Sequence, residues 1–322
     1  MERRKFIAIL GGSAIWPVAA RAQTPGRTYR IGYLTFSTSR QSSFYALLDE
    51  LRLAGFIEGQ NLTVLDDGFG IVENELAAAA AALVKASPDA IFASGFVLAK
   101  AVQSPTKAIP ILVLSEDLLA EGLTSSLARP DRNITGISLL SRELAGKRQD
   151  LMIEAVPGGR RMATLADANT TAPQQLKTLR DAASARGIEL AIFTIRTPED
   201  IVPAMDEIKA SGAAAINVLA SPLLFANRRL IIERTRELRL PAVYAFPDLA
   251  EQGGLIGYGP RFTYLYHLLG RQLVKILRGT SPADIPIEQP SRFELVVNLK
   301  TAKEIGLEIP ANFVLRADKL TE

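Results

Sequence analysis

The sequence predicts an α/β protein made of two doubly wound, parallel-sheet lobes. Three observations carry that expectation. Short runs rich in β-branched and aromatic residues alternate with segments whose apolar residues recur at helical spacing. The alternation fills the first half, then starts again around the Pro157-Gly158-Gly159 break. The chain has 322 residues and is 48% apolar, enough to build two cores. Repeated strand–helix units imply parallel strands, because a helix must carry the chain back before the next strand. Helices then cover both sheet faces.

Residues 1–22 stand apart. Arg3, Arg4 and Lys5 precede an apolar run over residues 6–20, and Ala20-Arg21-Ala22 before Gln23 forms a small-x-small cleavage site. This is the three-part layout of a secretory signal. Arg3-Arg4 followed by Phe6-Ile7 also fits a twin-arginine signal, so Sec and twin-arginine export both stand. A membrane anchor needs roughly 20 apolar residues, and this run is shorter and interrupted by Gly11, Gly12 and Pro17. A periplasmic location is expected.

The sequence has 37 basic and 34 acidic side chains. The signal takes four basic residues (Arg3, Arg4, Lys5, Arg21) and one acidic residue (Glu2), which leaves the processed chain neutral. No cationic footprint remains for nucleic acid or for an anionic membrane surface. There is no cysteine, which excludes disulfides, thiolate metal sites, cysteine nucleophiles and a lipid-modified N-terminus. The single histidine, His267, falls in a helical pattern with Leu265, Tyr266, Leu269 and Leu273, where a structural role is expected. No cofactor is expected, and no metal.

In the first lobe, residues 29–35 read as a buried strand. Phe44, Leu47, Leu48 and Leu51 mark one helix face, and Gly55 ends that helix. Strands follow at 62–65, 90–93, 109–114 and 134–139, with helices at 72–86 and 97–103 between them. The second set begins with a helix at 143–155 and has strands at 162–165, 189–195, 214–219 and 241–244. Its helices read as 174–186, 198–210 and 223–238. The tail holds a strand at 255–258, a helix at 261–278, a proline-punctuated stretch, a strand at 293–298 and a helix at 299–305. It is too short for a third domain and is expected to complete the first two lobes.

No nucleophile elbow, Walker loop or dinucleotide fingerprint is present. In open α/β sheets, ligands bind beyond the carboxyl ends of the strands. That rule selects Phe36 and Ser37, Ser94 and Gly95, and Glu116 and Asp117 in the first lobe. In the second it selects Asp167, Asn169, Ser221 and Phe246, with Tyr258 at the end of the 255–258 strand. Hydroxyls near helix starts suit a carboxylate, and Glu116, Asp117 or Asp167 suit an ammonium. Each serine reads equally well as a helix cap. Arg228, Arg229, Arg234, Arg236 and Arg239 interleave with Glu233 and Glu237, which reads as a solvated helix face.

Several stretches resemble a known family: the signal ending Trp16-Pro17-Val18, Gly55-Phe56-Ile57-Glu58-Gly59-Gln60-Asn61, Ser126-Leu127-Ala128-Arg129-Pro130 with Asn133-Ile134-Thr135-Gly136, Pro222-Leu223-Leu224-Phe225, Gly253-Gly254-Leu255-Ile256-Gly257-Tyr258-Gly259-Pro260, and Phe293-Glu294-Leu295-Val296-Val297-Asn298. Over essentially its whole length the chain resembles the TrpX-like periplasmic solute-binding proteins of ABC transporters. The resemblance implies a type I periplasmic-binding fold whose lobes are joined by three crossovers, near residues 139–142, 258–260 and 287–291. It divides the chain into residues 28–140 with 259–288, and 141–258 with 289–322. It also implies hinge closure on a small-molecule ligand, a permease with its cytoplasmic ATPase as partner, and a monomer. Family members often carry Trp-Asn-Pro, Gly-Thr-Pro and small-Asp-Pro where this chain has Ala166-Asp167-Ala168, Ser94-Gly95-Phe96 and Glu116-Asp117-Leu118. All three departures fall at strand ends, so the ligand is not carried over.

The expected function is non-enzymatic capture of a small polar molecule, an amino acid or small carboxylate, aromatic ones included, for import. A periplasmic sensing module and a secreted hydrolase are the alternatives at this point. Trp16 is the only tryptophan and leaves with the signal. The processed chain should show tyrosine emission alone, and tryptophan emission from the exported protein would rule out cleavage.

Overall fold

In the computed structural model, residues 26–38, 40 and 42–322 are described. The expected signal at 1–22 lies outside them. Five strands build the first sheet: β1 (Tyr29–Leu34), β2 (Leu62–Leu65), β3 (Ala90–Ser94), β4 (Ile111–Ser115) and β5 (Ile134–Ser138). All are parallel, in the order β2-β1-β3-β4-β5. Between them lie α1 (Ser42–Leu53), α2 (Leu76–Lys85) and α3 (Phe96–Gln103). The pleat sends alternate side chains to opposite faces. Ile31, Tyr33, Phe92, Leu112 and Leu114 join Phe44, Leu47 and Leu51 of α1. Leu34, Ile91, Ala93, Ile111 and Val113 join Leu83, Leu98 and Val102 of α2 and α3.

The chain then crosses into α4 (Ser141–Ala155), β6 (Arg161–Asp167), α5 (Pro173–Ala185), β7 (Glu189–Ile195), α6 (Ile201–Ala210), β8 (Ile216–Val218), α7 (Pro222–Ala226), α8 (Arg228–Glu237), β9 (Ala242–Tyr244), α9 (Pro247–Glu251) and β10 (Ile256–Gly259). It crosses back into α10 (Phe262–Leu277), which packs on α1 through Leu265, Leu269 and Leu273. Gly270 permits that approach: a methyl group there would sit 2.7 Å from Glu50 Cβ. On the rim of the same contact, His267 Nδ1 lies 3.0 Å from Glu50 Oε1, a structural pairing.

Residues near 288 run beside β5, where Ser138 N–H donates to the Glu288 carbonyl at 3.0 Å. A third crossing then leads to β11 (Glu294–Asn298), α11 (Leu299–Ile305), α12 (Ala311–Val314) and β12 (Lys319–Thr321). The second sheet runs β12-β11-β10-β9-β8-β6-β7. The result is two α/β lobes with three crossovers.

Three differences from the sequence reading have local causes. The second sheet is not wholly parallel, because β11 enters from the third crossing and pairs antiparallel with β10. The expected 223–238 helix is two helices, α7 and α8. They part at Asn227, whose Nδ2–H donates to the Leu223 carbonyl at 2.9 Å and so competes with the helical ladder. The 72–86 helix opens with a 3-10 turn at Glu73–Glu75. The short α9, α12 and β12 were not expected at all, since segments of three to five residues carry too little periodicity to read.

Arg148 of α4 is fully buried and has no carboxylate in ion-pair contact among the described residues. Its Nε donates to the Tyr258 carbonyl at 2.8 Å, Nη1 to Ser141 at 3.3 Å and Nη2 to Ala245 at 3.2 Å. Burial lowers its pKa to about 10, against the opposing pull of Glu116, so it stays charged at neutral pH. Replacing it by an apolar side chain strips buried carbonyls of their donors. Arg148→Met should lower the unfolding free energy by about 3 kcal/mol in urea titrations. An unchanged midpoint would show that the three bonds carry little weight.

Candidate functional site

A cleft of about 860 Å³ lies between the lobes, with side chains from both sheets' carboxyl-end loops on its walls. On the first-lobe side, the loop after β1 is pinned by its own backbone. Thr35 Oγ1 accepts from Ser37 N–H at 3.1 Å, and Gly70 N–H donates to the Ser37 carbonyl at 2.8 Å. Phe36, Ser37 and Thr38 are thereby held at the cleft, with Ser42, Ser43 and Ser94 beside them. Deeper in, the Tyr33 and Tyr266 hydroxyls meet at 2.8 Å. Burial raises both phenols, Tyr266 to about 12, so both keep their protons at neutral pH. Tyr33 stacks on Phe69 at 4.7 Å and meets Phe44 edge-on at 4.9 Å.

The second-lobe wall comes from α7 and α8. Arg228, Ile232 and Arg236 are spaced i, i+4, i+8, so they form one stripe of α8, and Arg229 and Glu233 lie beside it. The guanidinium of Arg228 lies 4.5 Å over the Phe225 ring. Its Nε donates to Gln252 Oε1 at 3.1 Å and its Nη1 to the Phe225 carbonyl at 3.0 Å. Arg236 Nε pairs with Glu304 Oε2 at 2.9 Å. From the first lobe, Arg40 reaches Glu58 and Asp66, each at 2.8 Å. The lining therefore carries four arginines and one carboxylate, Glu233, while Glu58, Asp66 and Glu304 outside it match Arg40 and Arg236. Phe262 opens α10 between the lobes and packs on Phe225 at 4.6 Å and on Phe246 at 4.3 Å.

The strand-end rule brings Phe36, Ser37 and Ser94 together on this cleft. Gly95 adjoins it: a Cβ there would lie 3.0 Å from Pro222 Cγ of the other lobe. Phe246 sits one layer behind, in the Phe225–Phe262 cluster. The remaining expected residues are not on the lining. Ser221 is 4% exposed and its Oγ caps α7 by accepting from Leu224 N–H at 3.0 Å. Asp167 is 2% exposed and accepts from Asn169 N–H at 2.9 Å and Thr170 Oγ1 at 3.1 Å. Asn169 Nδ2 donates to the Arg196 carbonyl at 3.0 Å. Tyr258 offers its carbonyl to Arg148, while its ring lies 6.5 Å from Phe293. Asp117 accepts from Ala120 N–H at 3.1 Å, and Glu116 lies within electrostatic reach of Arg148.

Sequence reasoning missed Tyr33, Tyr266 and the arginines. The tyrosines carry core spacing and read as packing. The arginine stripe was legible as spacing, but interleaved glutamates made it read as solvated. Among the described residues, no three His, Cys, Asp or Glu side chains are placed to hold a metal, and no helix is long and apolar enough to cross a membrane.

Glu121 lies beside the Glu116–Asp117 turn. Burial raises its carboxyl from an ordinary 4.5 to about 7; the Ser115 hydroxyl, donating at 2.6 Å, pulls it back, and Glu116 pushes it further up. The folded state then holds this proton more tightly than the unfolded chain. Its stabilising contribution is complete below about pH 4.5 and is lost as pH rises through about 7. Glu121→Gln, permanently neutral, should match the parent near pH 4.5 and exceed it at pH 8 by about 2 kcal/mol in urea titrations. A gap that does not vary with pH would refute the raised carboxyl.

The family model for ABC transporter substrate binding protein matches residues 39–321. No curated protein matches the chain significantly. Among solved structures, an ABC domain in complex with L-Trp from Streptococcus pneumoniae is similar at 21% identity and a TM-score of 0.79, over 91% of this chain and 99% of that one. A conserved domain protein from Vibrio cholerae is 22% identical with a TM-score of 0.80, over 92% and 99%. CD0873 of Clostridium difficile, a substrate-binding protein with adhesive properties solved ligand-free and open, is 22% identical with a TM-score of 0.60, over 92% and 99%. These likenesses are of fold, the type I periplasmic-binding architecture. The match over most of its length places this chain in the ABC transporter substrate-binding protein family.

Proposed function

We propose that this chain is the periplasmic solute-binding component of an ABC import system. It captures a small polar molecule, an amino acid or a small carboxylate, between its lobes. Residues 28–140 with 259–288 form one jaw and residues 141–258 with 289–322 the other. The observation that carries this reading is the 860 Å³ cleft, walled by hydroxyls, tyrosines and Arg40 from one lobe and by Arg228, Arg229 and Arg236 from the other. Its size suits a ligand of amino-acid scale, and a neighbour of like fold was solved with L-Trp. A ligand that touches both walls favours the closed state, because only closure makes both sets of contacts at once. The closed form is what a permease with its cytoplasmic ATPase would read. The leader at 1–22 supports export, and the site residues we assign are those on the lining, Phe36, Ser37 and Ser94 among them.

The test is a thermal-shift screen of the processed chain against amino acids, small carboxylates, aromatic acids and sugars. A ligand at a hundred times its Kd adds about 2.7 kcal/mol to the unfolding free energy. At least one compound should raise Tm and shrink the radius of gyration in X-ray scattering. Gly95→Ala tests closure itself. Gly95 has φ +113°, a conformation that L side chains rarely adopt, and the added methyl meets Pro222 at 3.0 Å. The variant should stay more open and bind about tenfold more weakly. Turnover of a compound by the purified chain, or binding without compaction, would overturn the capture reading.

A further inference from the structure

Resting on that reading, we propose that Arg228 and Arg229 together form the anchor of the cleft, and that the solute they hold is an aromatic carboxylate. The four cleft arginines are not equivalent. Arg40 is matched by Glu58 and Asp66, and Arg236 by Glu304. Arg228 and Arg229 are adjacent, and among the described residues neither has a carboxylate within 4.0 Å. Two neighbouring guanidiniums without a counter-ion repel each other, and a bound anion removes that cost. Burial, and then the charge of Arg229, lower the Arg228 pKa, which reports the same strain on the charged form.

Arg228 is also held in place before any ligand arrives. Its ring partner, Phe225, and its two acceptors, Gln252 and the Phe225 carbonyl, fix the plane of the fork. Its Nη2 has no acceptor among the described residues. A guanidinium has no acceptor capacity of its own, so an unfilled donor at the cleft asks for an oxygen. Carboxylate oxygens meet that need with charge as well as geometry.

The aromatic part follows from what stands around the anchor. Phe225 and Phe262 lie on the arginine side at a centroid separation of 4.6 Å, and Phe36, Tyr33 and Tyr266 lie on the facing wall. A ring in that space stacks on apolar faces while its carboxylate reaches Arg228 and Arg229. The competing ligand, an amine-bearing one, has a single carboxylate on the lining, Glu233. Asp117 and Asp167, expected from sequence to serve an ammonium, are off the lining and spend their oxygens on their own loops.

The experiment is calorimetric titration of the processed chain with benzoate, phenylacetate and indole-3-acetate, alongside phenylacetamide and indole-3-acetamide, and with L-Phe and L-Trp. At least one of the three acids should bind, and its amide, where tested, should bind at least tenfold more weakly. The double variant Arg228→Gln/Arg229→Gln should lose at least tenfold affinity for that acid while keeping its Tm. Arg180→Gln, on α5 and away from the cleft lining, should leave binding unchanged. Equal affinity for acid and amide would overturn the proposal, as would an unaffected double variant. So would binding of L-Phe or L-Trp without binding of any of the three acids and with loss in Glu233→Gln. If the acids fail but another compound of the broader screen binds, this inference falls and the capture reading stands. If nothing in either set binds, the capture reading falls with it.

Discussion

A fully buried guanidinium, held by carbonyls alone, is the constraint on which the two-lobed arrangement rests. Arg148 gathers the carbonyls of Ser141, Ala245 and Tyr258 onto one planar fork. Ser141 opens α4 just past the first crossing, and Tyr258 lies in β10 just before the second. One side chain thus sets how two of the three crossings leave the second lobe. Desolvating a cation is expensive, and the cost is offset only while all three acceptors stay in place. Lysine offers a point charge on a flexible stem and does not reproduce a fork of this kind.

The cleft divides its chemistry between the lobes. One wall presents hydroxyls and paired phenols that stay uncharged near neutral pH, with Arg40 matched by Glu58 and Asp66 beside them. The other presents cations, some already matched and two not. Phe262 stands at the junction, packed on Phe225 and Phe246 of one lobe while it begins the helix that completes the other. An apolar contact at that point tolerates small rotations better than a directional hydrogen bond would, since dispersion and burial have weak angular demands. That suits a junction about which the proposed closure turns.

Much of the architecture was readable in advance because parallel sheets announce themselves. Strands buried on both faces need continuous apolar runs, and the helices between them need one apolar stripe. Ile109 to Leu114 and the Leu47–Leu51 pattern show both signals without help from the rest of the chain. The strand-end rule then led to Phe36, Ser37 and Ser94, which do line the cleft. It led equally to Ser221 and Asp167, whose oxygens are taken by backbone and side-chain donors two or three residues away, and to Asn169, whose amide donates to the Arg196 carbonyl of a neighbouring loop. Nearby donors win because little chain entropy is lost in reaching them.

By itself the sequence determined the order of the longer strands and helices, the apolar content that fills the cores and the absence of thiol chemistry. These follow from composition and from periods of two and 3.6 residues, which are local properties. Only the tertiary structure decided which charged side chains meet a partner. Arg228, Arg229, Arg234 and Arg236 belong to one short helix and look alike in sequence. Arg234 pairs with Asp206 and Glu237, and Arg236 with Glu304, whereas Arg228 lies on Phe225 and faces the cleft beside Arg229. Whether a charge is matched depends on residues brought in from distant parts of the chain, and spacing along one helix carries no record of them.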